Sequence, residues 1–374
     1  MNSNYLFEVI VGTYEEYVLG YQLVLKENGD LELVQSFATH SHRASVRSLA
    51  TKGKLLVSGS VDEMINIYDM EQRKEIGAIM ENSGTITCLC FTPDGSHLVV
   101  ASEDGSIKFF RVGSWQIEKD FTTAHKGTAV NSISIHPTGK MALSVGKDHT
   151  LRTWNLVKGR PAYATNLASR CKNLEMVVWS PGGNYYAVPM DSKLELFCIE
   201  TAGVVFTLNF ESKVTCLSFN QNLEEKKENE IFVGEASGKF SCYCLKSGKE
   251  IWHIVGSNRI KSLCTSKGYL VLGTSTGEIL IYKLNNSKIE HESVTSIDTG
   301  CRITCLTIYE TRPIAIKNEQ TKDNNPDQIR KKKKSMFQIK NAPKDSKNCH
   351  KGLNYLDVKC TVRKQKWRVE CSKQ

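Results

Sequence analysis

The stretch HKGTAVNSISIHPTGKMALSVGKDHTLRTWNL (125–156) decides the fold of this chain. Two short apolar runs, VNSISI (130–135) and MALSV (141–145), flank the turn HPTGK, where Gly139 supplies the backbone freedom a hairpin needs. A tight turn at Lys147–Asp148 leads into TLRTWNL. The unit reads as strand a, hairpin, strand b, tight turn, strand c, loop, strand d. Val130, Ile133 and Ile135 are unevenly spaced, so this reading fixes strand type and not facing.

The unit recurs along the chain. An aromatic residue stands six positions after the b–c turn at Asp62/Tyr68, Asp104/Phe110, Asp148/Trp154, Asp191/Phe197, Ser237/Tyr243 and Thr276/Tyr282, and before these at Glu15/Tyr21. Successive turns are 47, 42, 44, 43, 46 and 39 residues apart. A period of about 40–45 residues with four strands per unit marks the blades of a WD40 β-propeller. The expected fold is all-β: a seven-bladed propeller over 1–316, followed by a basic, largely disordered tail over 317–374.

In the WD40 family a loop His, a strand-b Ser or Thr, the turn Asp and the strand-c Trp form a structural tetrad. By resemblance, His125, Ser144, Asp148 and Trp154 match all four places, and His42, Ser58, Asp62 and Tyr68 match with a conservative aromatic change. A fully satisfied buried network rigidifies its blade, whereas a half-satisfied one is costly. The unit of Phe110 has Asn82 in the His place, and the units of Tyr243 and Tyr282 lack the Asp. Packing and ladder bonds alone are expected to hold those blades.

One blade must be shared by both ends. RITCLTI (302–308) reads as a strand a, while YLFEVIV (5–11), YVLGYQLVL (17–25) and LELVQSF (31–37) read as b, c and d lacking an a. Pairing them would close the ring and remove two sheet edges. ITCL or VTCL at 86–89, 214–217 and 303–306 supports that register.

Composition narrows the function. The N-terminus MNSNYLFEVI has no basic segment followed by an apolar core, and no run approaches a membrane span, so a cytosolic or nuclear protein is expected. Cys88 and Cys90, like Cys242 and Cys244, alternate within strands, and no CxxC pair occurs among the 13 cysteines. They read as small buried hydrophobes, with no metal site and no disulfide framework expected. The nine histidines show no catalytic or metal spacing. GEASGKF (234–240) has three residues between its glycines where a phosphate loop has four, and a Phe where Ser or Thr should hold magnesium. No enzyme and no cofactor is expected.

Charge is uneven. Lys317–Gln374 holds 17 Lys and Arg against 6 Asp and Glu, leaving 32 against 34 in the other 316 residues. The basic run Arg330, Lys331, Lys332, Lys333 and Lys334 fits a nuclear-localisation signal or an RNA-phosphate contact, and Trp367 stands among basic residues further on. The charged loop QNLEEKKENE (221–230) reads as a solvated insertion. Ahead of strand a stands Arg43, Lys126, Lys172, Lys213, Arg259 or Arg302 in six units, against Ser83 and Gly84 in the seventh. In WD40 folds the strand-a entries and the b–c turns share a face, so these six are expected to ring one channel mouth and bind an acidic protein segment or ribosomal RNA.

Several stretches resemble one subfamily. SGTITCL (83–89), EDGSIKFF (103–110), SIHPTGKMALSVGKDHTLRTWNLVKGR (134–160) and GTYEEYVLGYQLV (12–24) are similar to the p21-activated protein kinase-interacting protein family, over roughly residues 8–310. That family is the animal counterpart of a fungal WD40 factor needed for the large ribosomal subunit. The resemblance implies a nuclear, nucleolar scaffold for pre-ribosomal factors, monomeric within a larger assembly, that also binds and restrains a p21-activated kinase. A mainly cytoplasmic kinase regulator is the alternative; a ubiquitin-ligase receptor lacks support in the sequence.

Overall fold

The computed structural model describes residues 5–201, 203–220, 230–285, 288–289 and 293–310. The charged loop at 221–229, the basic run and Trp367 lie outside the described residues. Strands β1 (Tyr5–Thr13), β2 (Val18–Leu25) and β3 (Leu31–Thr39) open the chain. Blade 1 is β4 (Val46–Lys52), β5 (Leu55–Ser60), β6 (Ile65–Asp69) and β7 (Lys74–Ile79); blade 2 is β8 (Ile86–Phe91), β9 (His97–Ser102), β10 (Ile107–Arg111) and β11 (Ile117–Phe121). Blade 3 is β12 (Val130–Ile135), β13 (Met141–Gly146), β14 (Thr150–Asn155) and β15 (Arg160–Asn166). Blade 4 is β16 (Val178–Trp179), β17 (Tyr185–Met190), β18 (Lys193–Cys198) and β19 (Gly203–Asn209). Blade 5 is β20 (Val214–Phe219), β21 (Glu230–Glu235), β22 (Lys239–Cys244) and β23 (Glu250–Val255). Blade 6 is β24 (Ile260–Ser266), β25 (Tyr269–Thr274), β26 (Glu278–Asn285), β27 (Lys288–Ile289) and β28 (Thr295–Asp298).

The last strand, β29 (Ile303–Tyr309), pairs antiparallel with β1, from Glu8↔Tyr309 to Gly12↔Cys305. Blade 7 is therefore the sheet β29-β1-β2-β3, and the two ends close the ring as the repeat pattern required. A buried ion pair crosses the next seam. Arg73, on the turn before β7, reaches Glu8 on β1 at 3.0 and 3.3 Å, and Ser36 on β3 donates to the same carboxylate.

The core lies between blades. Leu98 and Val100 of β9 pack towards blade 1 with Val57, Ile65 and Ile67; Val99 and Ala101 pack towards blade 3 with Val130, Ile133 and Trp154. A middle strand buried on both faces reads as a continuous apolar run, which is why HLVVAS and MALSV show no polar alternation. Seven such clusters join neighbouring blades around the whole ring. Each fully buried Leu, Ile, Val or Phe contributes about 1.5–3 kcal/mol. Outer strands such as β7 face solvent along most of their length.

The inner strands share a distortion. Pairing slips by one residue at Val46/Ser48, Ile86/Cys88, Val130/Ser132, Val214/Cys216 and Ile260/Ser262, and between Ile303 and Cys305 in blade 7. The bulged residues are Arg47, Thr87, Asn131, Thr215, Lys261 and Thr304. A bulge re-aims one side chain and breaks period-2 alternation. This explains the uneven spacing of Val130, Ile133 and Ile135. Four bulge side chains bond the next blade: Thr87 to Val130 O (2.5 Å), Asn131 to Leu174 O (2.7 Å), Thr215 to Ile260 O (2.6 Å) and Thr304 to Val46 O (2.5 Å).

Candidate functional site

In blade 3, Trp154 Nε1–H donates to Ser144 Oγ (2.8 Å), and Ser144 Oγ lies 2.7 Å from His125 Nε2. The indole donates and the Asp148 carboxylate facing Nδ1 only accepts, so a neutral imidazole takes the serine's proton at Nε2. His125 then carries its proton on Nδ1 and donates to Asp148 Oδ1 at 2.8 Å. Thr150 and Arg152 complete the carboxylate shell at 2.8 and 3.1 Å. Burial holds the His125 imidazole below its ordinary range despite the facing carboxylate, so it is neutral. His125, Thr150 and the other donors hold Asp148 at about 2 against the opposing effect of burial. Gly146 is obligatory beside this network: a Cβ there would stand 2.5 Å from His125 Nδ1.

Blade 1 repeats the design more loosely. His42 sits 3.0 Å from Asp62 Oδ2 and 2.7 Å from Ser58 Oγ, but the Tyr68 hydroxyl stands 3.4 Å from Ser58. Blade 2 breaks it. Asn82 is 8% exposed, and both polar atoms of its amide find no partner among the described residues. These networks are buried staples and offer no open chemistry.

Blades 5 and 7, which lack the Asp, carry substitutes, and for blade 5 this corrects the expectation of packing and ladder bonds alone. In blade 5, buried Glu235 accepts from Ser212 N and Oγ (3.3 and 3.1 Å), and Ser212 Oγ accepts from Ser237 N (3.1 Å). In blade 6 the turn is joined to its strand-a entry by the backbone bond from Ser275 N to Arg259 O (2.9 Å). In blade 7, Glu15 accepts from Arg302 N (2.8 Å), as Asp62 does from Arg43 N (2.8 Å). The physical need is an acceptor joining the b–c turn to the strand-a entry, and Glu meets it as well as Asp.

That same contact places the face. Turn N–H groups of Tyr14, Ala236 and Ser275 donate to the carbonyls of Arg302, Lys213 and Arg259, so b–c turns and strand-a entries lie together. Lys213, Arg259 and Arg302 directly precede strand a. Arg43 and Lys126 stand earlier, and the matching carbonyls in their blades belong to Ser45 and Ala129. Five of the six cations thus occupy two registers, and exposed Lys172 stands apart from both, ahead of the two-residue β16. Two are neutralised: Arg302 by Glu15 at 2.7 Å and Lys213 by Glu175 at 2.5 Å. Arg302 also lies 4.0 Å over the Tyr14 ring.

On the a–b hairpin side, a groove of about 650 Å³ opens between blades 2 and 3, lined by Pro93, Phe109, Phe121, Pro137 and Val157. Its carboxylates are already held, Glu118 by His97 and Arg111 and Asp94 by Thr92 and Ser96. GEASGKF forms the β21–turn–β22 hairpin and presents no helix N-terminus to a phosphate. Burial pushes the free thiols of Cys216 and Cys264 up to about 12.

The WD domain, G-beta repeat family matches residues 31–69, 74–111 and 117–155. The p21-activated protein kinase-interacting protein 1-like protein of Danio rerio is 34% identical over 308 residues, covering 81% of this chain and 80% of the relative. The chain belongs to the p21-activated protein kinase-interacting protein family. The Homo sapiens p21-activated protein kinase-interacting protein 1 is 33% identical over 314 residues, covering 81% and 77%. Protein MAK11 of Saccharomyces cerevisiae is 29% identical over 350 residues, covering 81% and 83%. No catalytic family accompanies the WD40 match.

In this family member, sequence reading missed Arg47 and Lys261. Both are bulge residues, one place inside strand a and beyond the window ahead of it. Aligning VRSL, ITCL, VNSI, VTCL, IKSL and ITCL by their strands exposes that second column as Arg, Thr, Asn, Thr, Lys and Thr.

Proposed function

We propose that this chain is a non-enzymatic WD40 scaffold for large ribosomal subunit assembly in the nucleolus, and that it also binds and restrains a p21-activated kinase. One observation carries the reading: similarity spans 81% of the chain to relatives whose names state kinase interaction. The ribosomal half rests on the resemblance to the fungal factor and on the basic tail, where Arg330–Lys334 would serve import or meet RNA. Arg43, Lys126, Lys172, Lys213, Arg259 and Arg302 would belong to the partner-facing side.

Sucrose-gradient sedimentation of cell extract tests the proposal. Co-migration with large-subunit precursors, dispersed by ribonuclease or high salt, is the expected result; migration as free protein removes the ribosomal half. Replacing Lys331–Lys334 by alanine should abolish nucleolar accumulation. A wild-type signal spread through the cytosol, with intact kinase pull-down, would instead leave the signalling role alone.

A further inference from the structure

Six blades carry a bulge in the inner strand, and four of the bulged side chains are consumed by bonds to the next blade. Arg47 and Lys261 are the other two. Neither makes a side-chain hydrogen bond or ion pair among the described residues, and they flank Thr304 from the strands on either side, because β29 packs between β24 and β4. Arg259 lies two residues before Lys261 at the rim and is likewise in no ion pair among the described residues. We infer that Arg47, Lys261 and Arg259 form an anion site at the channel mouth across blades 6, 7 and 1, which takes the carboxylate side chains of an acidic, extended protein segment.

This rests on the reading that the chain is a protein-binding scaffold, and it names what one surface binds. Lys261 is half-buried, and burial together with Arg259 and Arg47 holds its ammonium below the ordinary lysine range. Three cations gathered without a carboxylate in contact repel one another, and an arriving anion relieves that repulsion. Glu175, the carboxylate whose charge reaches Lys261, is already engaged by Lys213, and on the same rim Glu15 is engaged by Arg302 and Asp62 by His42 and Arg43 N.

The rim favours a protein over RNA. Single-stranded RNA is held by bases stacked on aromatic faces. Here Tyr17 is stacked on His40 with centroids 4.5 Å apart, and Arg302 covers Tyr14.

The test is fluorescence anisotropy on the purified full chain, with a labelled peptide of alternating aspartate and glycine at low salt. Wild type should bind, and Arg47→Gln with Lys261→Gln should weaken binding by about tenfold or more. Lys119→Gln, on the outer strand of blade 2, should leave it unchanged. Should the double variant melt early, Arg259→Gln alone carries the test with a smaller loss. Unchanged peptide affinity in folded variants would overturn the site. So would tighter binding of a single-stranded RNA oligonucleotide that the same substitutions abolish. The assay contains no ribosomal particle and no kinase. Peptide binding without co-migration removes only the proposed function, and co-migration without peptide binding removes only this site.

Discussion

Blades 2 and 3 are neighbours with nearly the same strand lengths, and they solve one problem with unequal success. Blade 3 runs an unbroken relay from Trp154 through Ser144 and His125 to Asp148, with every polar atom partnered. Blade 2 keeps the Asp104 place but has Val100 where the relay serine stands, ends in Phe110, which has no donor, and starts in Asn82, whose amide is stranded. Both blades stand because their cores, built around Val99, Ala101 and Trp154 on one side and Val100 and Phe110 on the other, are continuous. Apolar interlocking with the neighbours is sufficient for the fold, and the relay adds rigidity to one blade. A buried amide left alone is a tolerated cost of order 1–3 kcal/mol.

Substitutions put that contrast under strain. Trp154→Ala should cost about 5 kcal/mol and Phe110→Ala about 3 kcal/mol, since only the first also strands a buried hydroxyl. Equal losses in chemical denaturation would mean the relay adds nothing beyond ring volume. His125→Leu should cost about 3 kcal/mol, because it leaves Asp148 and Ser144 without their central partner. Acid should separate the blades as well. His125 and His42 are held neutral below the usual histidine pKa, so the unfolded chain binds protons first as pH falls below about 6.5. Stability is therefore full above that pH and declines beneath it. Asp148, held at about 2, adds a second loss between roughly pH 4 and 2. Hydrogen exchange at pH 5, corrected for intrinsic rates, should show β13 losing protection relative to β9; parallel loss in both strands would refute the assignment. The smallest effect is expected from Asn82→Leu, which should be neutral or stabilising by up to about 1 kcal/mol in the same denaturation series.

Much of this was legible in the chain, and the illegible part has a single physical origin. Blade number, the two tetrads and the shared final blade follow from side-chain identity at fixed spacing: His125 to Asp148, or Glu15 six residues before Tyr21. Facing on the inner strands did not follow, because a bulge inserts one residue and inverts the alternation after it. Arg47 and Lys261 were hidden for that reason. The substitute caps were hidden for another. Glu235 lies inside a strand, two places before the turn residue Ser237, and only the folded turn brings it to Ser212. Residues 317–374 carry the charge asymmetry and fall outside the described structure.

The seam between the two ends carries a consequence for biogenesis of the protein itself. Glu15 and Arg302 meet across 287 positions, so the first strands made must wait for nearly the whole propeller to be translated before their sheet is complete. Pairing over such a separation is slow to nucleate, and a nascent chain meanwhile displays the bare border of β1. Release of a product ending before Ile303 should leave an open, aggregation-prone arc that depends on chaperone capture, whereas truncation just after Tyr309 keeps the ring intact.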